Sequence, residues 1–311
     1  MIKKSINLYK LLLAGMLAAV CVWYIKSNFN WNELVGRIEK AEYDWLLLGS
    51  GCAYLGFLIA RTWRWKILVS QIDPGANLRA LYLPTAIIVS ISSITPGQLG
   101  ETFKVELLRR GHRADTATAV GFFLVERAID LLIILSCGLV SALLIPYKLF
   151  DVNSSSLFMV SLAGILAGLL VIRYFTSHQR FRAVSKRFLL TLENPIILAK
   201  VSSLSIIAWL FIAIAWQIAL ASIGINLSLA STIVVMSLTM LSVLLSFIPT
   251  GIGVAEVVIS QLLMVENVGE TQAQAGALIL RLASIWWLVI GLVHLAIWWF
   301  KSLADHRSDK Q

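Results

Sequence analysis

The chain contains two similar segments, SITPGQLGE at residues 93–101 and FIPTGIGVAE at residues 247–256. Each interrupts an apolar run with proline and glycine and then places a glutamate. In both cases an arginine follows within the next apolar run, at Arg127 and at Arg281. Broken hydrophobic segments at corresponding places in two halves of a chain are typical of a midplane binding site in a transporter. The two segments, called here the first and second breaks, therefore predict a site at membrane depth.

The composition excludes a soluble protein. Of the 311 residues, 59% are hydrophobic and 14% are charged, whereas soluble domains average about 25% charged residues. No polar stretch is long enough for a separate soluble domain, so we expect one membrane domain over residues 1–311. No Walker loop, zinc-ligand spacing or nucleophile elbow is present, which predicts neither an enzyme nor a cofactor or metal site. The net charge of +9 is better explained by membrane topology than by nucleic-acid binding.

A helix needs about 20 apolar residues to cross the hydrocarbon core of a bilayer. The runs of adequate length are Leu8–Ile25, Trp45–Trp63, Ala117–Pro146, Leu157–Phe175, Ile196–Ile223 and Ala273–Phe300. Two more runs, Ala80–Ile94 and Leu229–Ile248, end in the breaks. Their continuations, Glu101–Arg110 and Val254–Val265, are too short to complete a crossing, which favours two re-entrant helical hairpins. The first run is expected to be a retained helix, because no clean signal-peptide cleavage site follows it.

The charge distribution also favours re-entrant hairpins over full crossings. If each broken run returns to the side from which it entered, most basic residues outside the hydrocarbon core lie on one side of the membrane. The opposite side has only Lys26, Arg37, Lys40 and Lys148. The positive-inside rule then places both termini in the cytoplasm, in a cytoplasmic membrane. The predicted fold is an all-α polytopic membrane protein with six spanning helices and two re-entrant hairpins. Inverted repeats cover about residues 8–146 and 157–300, and residues 301–311 form a cytoplasmic tail.

Arg127 and Arg281 are the central candidate site residues, because an arginine at membrane depth costs about 2.5–3.5 kcal/mol on insertion scales. Glu101 and Glu256 begin the two return helices, where a carboxylate suits the positive helix end. These glutamates either only hold the arginines in structural pairs or also release them to a substrate anion. In the second case the arginines bind phosphate, assisted by backbone amides of the glycines of the breaks, which are Gly97, Gly100, Gly251 and Gly253.

Further charged residues lie near these candidates. Glu126 and Asp130 stand one helical turn apart beside Arg127, where they either neutralise it or carry a coupling proton. The charged stretch with Lys104 is expected at the membrane interface, and the segment Arg61–Lys66 is expected to form a cytoplasmic belt near anionic headgroups. Four tryptophans near the end of the chain are expected at the interface or facing lipid, at positions Trp286, Trp287, Trp298 and Trp299.

The two breaks, together with the Glu126-Arg127-x-x-Asp130 motif and Arg281, resemble the flippase-like membrane domain of lysylphosphatidylglycerol synthases. The resemblance covers roughly residues 8–300. It implies movement of modified phospholipids between leaflets, and some relatives accompany glycosyltransferases of polyprenyl-linked sugar pathways. It also implies a site that comprises Glu101, Glu126, Arg127, Asp130, Glu256 and Arg281. The chain ends at Gln311 without the soluble aminoacyl-transferase domain of the full synthases, so we do not expect it to make lysyl-lipid.

The leading hypothesis is a lipid flippase that moves an anionic phospholipid or a polyprenyl-phosphate-linked lipid by alternating access. One alternative is a membrane partner of a glycosyltransferase or lipid-modifying enzyme that itself transports nothing, docked through the basic loop Arg173–Arg187. Another is an intramembrane transferase that uses Glu126 or Asp130 as a base.

Overall fold

A computed structural model describes residues 8–111, 114–144, 182–246 and 248–308, and the regular elements in these ranges are helical. The α-helices are α1 (Leu8–Asn28), α2 (Trp31–Glu39), α3 (Ser50–Val69), α4 (Leu78–Ile94), α5 (Phe103–Gly111), α6 (Thr116–Leu144), α7 (Arg182–Glu193), α8 (Pro195–Ala221), α9 (Leu229–Ser246), α10 (Val254–Val265), α11 (Glu270–Ala283) and α12 (Trp286–Ser308). A π-helical turn, Trp45–Gly49, leads into α3. The breaks contain short 3₁₀ helices, Pro96–Thr102 and Pro249–Gly251.

Four helical stretches in the described ranges are long and apolar enough to cross a membrane: Trp45–Val69, Pro195–Ala221, Leu229–Ser246 and Glu270–Lys301. They confirm a multi-pass membrane protein. The last of them contains a turn between α11 and α12, where one continuous helix was predicted. The 29-residue α6 corresponds to a predicted span and carries charged side chains along its length. The predicted span Leu157–Phe175 lies outside the described residues.

Both breaks divide their runs as the prolines and glycines predicted. In the first, α4 ends at Ile94 and α5 begins after the 3₁₀ turn; in the second, α9 ends at Ser246 and α10 starts at Val254. Within each pair the two helices contact each other, α4 with α5 and α9 with α10. By length and composition α9 is also long enough to cross the membrane, so its re-entrance stays a prediction.

The short helix α2 was not predicted, because it is amphipathic and carries several polar residues. Its apolar side packs on α11, where Leu34 and Ala275 are fully buried against Phe29. Gln274 joins the same elements by accepting from the backbone N–H of Asn30 at 3.4 Å. The helix therefore fastens the start of the chain to its C-terminal part.

The core of the molecule is built on α3 and α8, which form the most extensive helix–helix contact. Glycines bring the chain close to its neighbours along this contact. A methyl group on Gly56 would lie 2.5 Å from the Phe211 ring, and one on Gly49 would lie 2.9 Å from Ile218. Small residues at the interface of membrane helices allow this close approach. The first break is joined to this pair through the ion pair between Arg61 of α3 and Glu101.

The two breaks contact each other inside the helical bundle. The first break also contacts α9, and the second contacts α4, so each lies against the helix that leads into the other. Non-helical backbone at membrane depth is tolerated only where it is buried in protein or lines a cavity. The contact places the two interruptions of the apolar runs at one location, as the sequence predicted.

Gly100 is required for the close approach of the first break to α4. A methyl group at this position would lie 2.7 Å from the Ser92 backbone nitrogen and 2.9 Å from the Ile91 carbonyl carbon. Because backbone cannot rotate away as a side chain can, we expect Gly100→Ala to destabilise the protein by about 1–3 kcal/mol. Thermal unfolding in detergent measures the effect. The control is Gly36→Ala on α2, where nothing lies within 4 Å of the added methyl; an equal unfolding midpoint for the two variants would contradict the packing argument.

Candidate functional site

A cluster of seven charged side chains, called here the first network, joins α3, the first break, α5 and α6. It has four basic and three acidic members, and therefore an excess of one positive charge. Six of the seven are buried, and the side chain of Arg127 is 26% exposed. The members are Arg61, Arg64, Glu101, Lys104, Glu126, Arg127 and Asp130.

Glu101 of the first break is the acceptor for three cations. Glu101 and Arg61 form a bidentate pair, in which Oε1 lies 2.8 Å from Nη1 and Oε2 lies 3.0 Å from Nη2. Arg127 Nη2 is 2.9 Å from Glu101 Oε2, and Lys104 Nζ is 3.2 Å from the same oxygen. The predicted pair Glu101–Arg127 is therefore present, within a larger set of partners.

Glu126 and Asp130 hold the arginines of α3 against α6. Arg64 donates to both carboxylates and to Ser205 Oγ of α8, the last at 2.6 Å. Lys104 Nζ lies 2.7 Å from Glu126 Oε1. Each carboxylate therefore pairs with more than one cation in this structure, and the coupling-proton role stays a prediction.

Arg61 and Arg64 correct the prediction of a cytoplasmic belt over Arg61–Lys66. Arg61 is 4% exposed and Arg64 is fully buried, whereas Trp63 between them is largely exposed. The buried positions recur every three or four residues along α3, which is the spacing of one helix face. That spacing could have predicted the burial of both arginines. It was not used, because arginine is rarely buried without a partner and no partner is evident nearby in the sequence.

Lys104 also corrects a prediction. It was expected at the interface with its charged neighbours, yet it is fully buried and its Nζ lies 5.2 Å from the centre of the Trp65 ring. Arg109 and Arg110 of α5 are exposed, as expected, and both pair with the partly exposed Glu106. The hydrogen bond from Arg110 lowers the pKa of Glu106. One face of α5 thus contributes Lys104 to the first network, and the charged residues of its other face take no part in that network.

The second network is simpler and consists of Glu256 and Arg281, with backbone of the second break. Arg281 Nε lies 2.6 Å from Glu256 Oε1. The same guanidinium donates to the Thr250 carbonyl at 2.9 Å and to the Gly251 carbonyl at 3.4 Å. Glu256 Oε2 accepts from the Gly253 N–H at 2.8 Å. The predicted pair Glu256–Arg281 is present, and the arginine binds the break directly.

Three of the four glycines in the breaks donate their backbone N–H groups to acceptors within the same break or next to it. The N–H groups of Gly100, Gly251 and Gly253 donate to Thr95 Oγ1, the Ile248 carbonyl and Glu256 respectively. Gly97 lies within the 3₁₀ turn of the first break. The expected role of glycine amides in binding an anion therefore requires these three to exchange their present acceptors.

Each break contains one non-glycine residue with a left-handed backbone, and each such residue is bonded to an arginine. Gln98 has φ of 58° and Thr250 has φ of 55°. Arg127 Nη1 donates to Gln98 Oε1 at 3.0 Å, and Arg281 Nη1 donates to the Thr250 carbonyl. Such conformations cost about 1–3 kcal/mol and persist where surrounding contacts impose them. The arginines therefore hold the strained residue of each break in place.

A cavity of about 380 Å³ lies between the two networks. Its wall includes Arg61 and Glu101 of the first network and Glu256 and Arg281 of the second. Among the described residues that line it, these two arginines are the basic ones, and Arg127 lies behind the wall. Arg127 and Arg61 are joined through Glu101, which pairs with both, and the anion-binding role expected of Arg127 stays a prediction.

The rest of the cavity wall is mainly apolar and aromatic. Trp287 lines it and packs edge-on against Tyr54 and Phe57, with ring centres 4.6 and 5.1 Å apart. Trp286 contacts α3 at Gly51. These two tryptophans were expected at the interface or facing lipid, and their packing inside the bundle corrects that expectation. Trp298 and Trp299 are exposed, as expected.

Several residues of the cavity wall are both apolar and exposed at the protein surface, namely Ile94, Leu244, Ile252, Leu282, Ile285 and Leu288. They come from the ends of α4, α9 and α11, the second break, the turn after α11 and the start of α12. The cavity thus has charged groups inside and an apolar rim outside.

The model of the family described as "Lysylphosphatidylglycerol synthase TM region" matches residues 7–291 of the chain. The chain belongs to this family. The match includes both breaks, both networks and every residue of the cavity wall. No match was found among curated proteins. Membership in a family of lipid-synthase membrane regions supports a membrane function related to lipids.

Because the first network has one more basic than acidic member, we expect the loss of an acidic side chain to destabilise the protein more than the loss of a basic one. Glu126 and Lys104 are mutual partners, and both are fully buried. We expect Glu126→Gln to destabilise the protein by about 3–5 kcal/mol, because it leaves several cations without their shared carboxylate. Lys104→Gln neutralises the excess and should cost clearly less. Chemical or thermal unfolding in detergent compares the variants; an equal or greater loss for Lys104→Gln would contradict the charge count.

Proposed function

We propose that this protein moves an anionic phospholipid or a polyprenyl-phosphate-linked lipid between the leaflets of the cytoplasmic membrane, and that it acts as a transporter rather than an enzyme. The single observation that carries the proposal is the cavity shared by the two breaks. It offers Arg61 and Arg281 from two directions, and guanidinium groups bind phosphate by paired hydrogen bonds. Family membership supports the lipid substrate class.

The proposed topology has six spanning helices and two re-entrant hairpins in inverted repeats, with both termini in the cytoplasm. The contact between the breaks and the pairing of helices within each hairpin support it. In this arrangement the first break enters from the cytoplasmic side and the second from the opposite side. Rocking of the repeats about the cavity then exposes it to each side in turn.

The apolar rim gives the lipid tail a place outside the polar site. The exposed rim residues, such as Leu244 and Leu288, lie at the surface of helices that contact hydrocarbon in the proposed topology. An acyl or prenyl chain stays in the bilayer while only the phosphate enters the cavity. This division avoids moving a long apolar chain past charged side chains, which would strip the charges of their polar partners.

The two networks differ in how readily they can exchange a carboxylate for a phosphate. Glu101 has three cationic partners and is 1% exposed, so its removal from Arg61 would disrupt the whole first network. Within the described part of the chain, Glu256 pairs with one cation, Arg281, whose side chain is 31% exposed. We propose that the lipid phosphate takes the place of Glu256 on Arg281 while the first network stays intact. The phosphate then hydrogen-bonds to Arg281, while Arg61 keeps its pair with Glu101 and contributes positive charge to the cavity.

Arg281→Gln tests the transport proposal. The variant removes one of the two guanidinium groups of the cavity, and we expect it to reduce the rate of headgroup translocation at least tenfold, because one charge-assisted contact is worth about 1.5–3 kcal/mol. Translocation of a labelled anionic lipid is measured in proteoliposomes. Arg37→Gln, in an exposed ion pair on α2, is the control. Wild-type transport by a folded Arg281→Gln protein would overturn the proposal.

Glu256→Gln tests the exchange of ligands at Arg281. Loss of the competing carboxylate should strengthen binding of the lipid phosphate severalfold and slow its release, so that steady translocation falls while occupancy rises. Lipid occupancy by native mass spectrometry and transport in proteoliposomes give the two readouts. Weaker phosphate-lipid binding by Glu256→Gln would show that Glu256 positions the arginine and does not compete with the substrate.

A further inference from the structure

A second cavity, called here the α3–α4 groove, lies between the end of α3 and the start of α4. Its volume is about 220 Å³. It is lined by Ile59, Thr62, Trp63, Leu78, Arg79 and Tyr82, and it shares none of these residues with the cavity between the breaks. Neither network includes a residue of this groove, so the transport proposal does not account for it.

The groove runs from the aqueous end of α3 toward the apolar part of the helix. The connection after Val69 contains the exposed polar residues Gln71 and Asn77, which places this end of α3 at the water boundary. At 1.5 Å per residue, Trp63 lies roughly 9 Å and Ile59 roughly 15 Å from the end of the helix. Both side chains are nearly half exposed. The groove therefore has one end at headgroup level and the other at acyl-chain level.

Basic groups accompany the headgroup end. Arg79 lines the groove in the first turn of α4 and is exposed, and Lys66 Nζ lies 5.5 Å from the centre of the Trp63 ring. Among the described residues that line the groove there is no carboxylate. Asp73, in the connection from α3 to α4, accepts from the Gly75 N–H at 3.1 Å. The groove thus presents positive charge beside an apolar surface, which complements a headgroup of net negative charge.

The walls of the groove are held in place by packing behind them. Thr62 at its base is 1% exposed and donates its hydroxyl to the Leu58 carbonyl at 2.8 Å. The Tyr82 ring rests against His294 of α12, with ring centres 5.2 Å apart, and His294 is itself buried and bonded to the Ile290 carbonyl. A rigid concave surface loses little entropy when it binds, which distinguishes it from a mobile lipid-facing helix.

We infer that the α3–α4 groove is a binding site for one anionic phospholipid, separate from the transport cavity. The phosphate lies between Arg79 and Lys66, the ester region lies against Trp63 and Tyr82, and one acyl chain follows Ile59. Aromatic side chains at this level are the usual anchors between headgroups and acyl chains. Because Thr62 is next to Arg61 on α3, the bound lipid braces the helix that carries the arginines of the first network.

The test is retention of phosphatidylglycerol against phosphatidylcholine by the detergent-purified full chain, measured by native mass spectrometry. Wild-type protein should retain one phosphatidylglycerol in preference to phosphatidylcholine at the groove. Arg79→Gln should weaken this binding about fivefold, the value of one basic side chain at a membrane surface, and the double change with Lys66→Gln should weaken it further. Arg79→Lys should keep the preference. Arg110→Gln, an exposed basic side chain on α5, is the control.

The location is tested in wild-type protein with a phosphatidylglycerol that carries a photoreactive group on its acyl chain, which should crosslink to the peptide that contains Ile59. This readout decides the question even if Arg79→Gln fails to fold. Equal losses in Arg79→Gln and Arg110→Gln, equal retention of the two lipids, or crosslinking elsewhere would overturn the groove site. If Arg281→Gln loses the retained lipid and Arg79→Gln keeps it, the lipid is bound in the transport cavity. That result would overturn the groove site and would leave the proposed function standing.

Discussion

Every guanidinium group placed at membrane depth must have a polar partner, and this requirement explains most of the structure around the cavity. An unpaired arginine in hydrocarbon costs several kcal/mol. Arg61, Arg64 and Arg127 each reach two or more carboxylates, and Arg281 reaches Glu256 and the carbonyls of the second break. The helices that carry these groups cannot separate without exposing a charge. The ion pairs therefore fix the breaks in position.

The same arginines also satisfy the irregular backbone of the breaks. Chain interruptions leave carbonyl groups without helical partners, and inside a membrane no bulk water replaces them. Arg281 donates to two such carbonyls, and Arg127 holds the side chain of Gln98 next to the left-handed turn. The same guanidinium groups thus both pair with carboxylates and donate hydrogen bonds to the breaks. A ligand anion that replaces a carboxylate on the arginine leaves the bonds to the break available.

The two networks on the cavity wall differ in the number of partners that their charged groups share. Seven charged groups, almost all buried, share their partners around Arg61, so the removal of one disturbs several others. Arg281 has one carboxylate and partial exposure. The proposed function uses this difference, since the phosphate is proposed to take the place of Glu256 on Arg281 while the first network keeps its pairs.

The sequence predicted the breaks and the pairs Glu101–Arg127 and Glu256–Arg281, because proline, glycine and a charge inside an apolar run are local signals. It did not predict that Arg61, Arg64 and Lys104 are buried. Their burial depends on carboxylates of α6 and on the hydroxyl of Ser205, which are distant in sequence. The helix α2 and the turn before α12 were missed for a related reason, since tertiary contacts with α11 and with α3 stabilise them. Local patterns revealed the interruptions, whereas long-range pairing determined which cations line the cavity.

Intramolecular crosslinking in native membranes tests the central claim, that the two breaks meet and share one cavity, most directly. Ile94 and Ile252 line the cavity at different breaks, and both side chains are about half exposed. In a background without the three native cysteines, the pair Ile94→Cys and Ile252→Cys should be joined within one chain by a short thiol crosslinker, while each single variant should not. Efficient thiol labelling of both positions without an intramolecular crosslink would contradict the account.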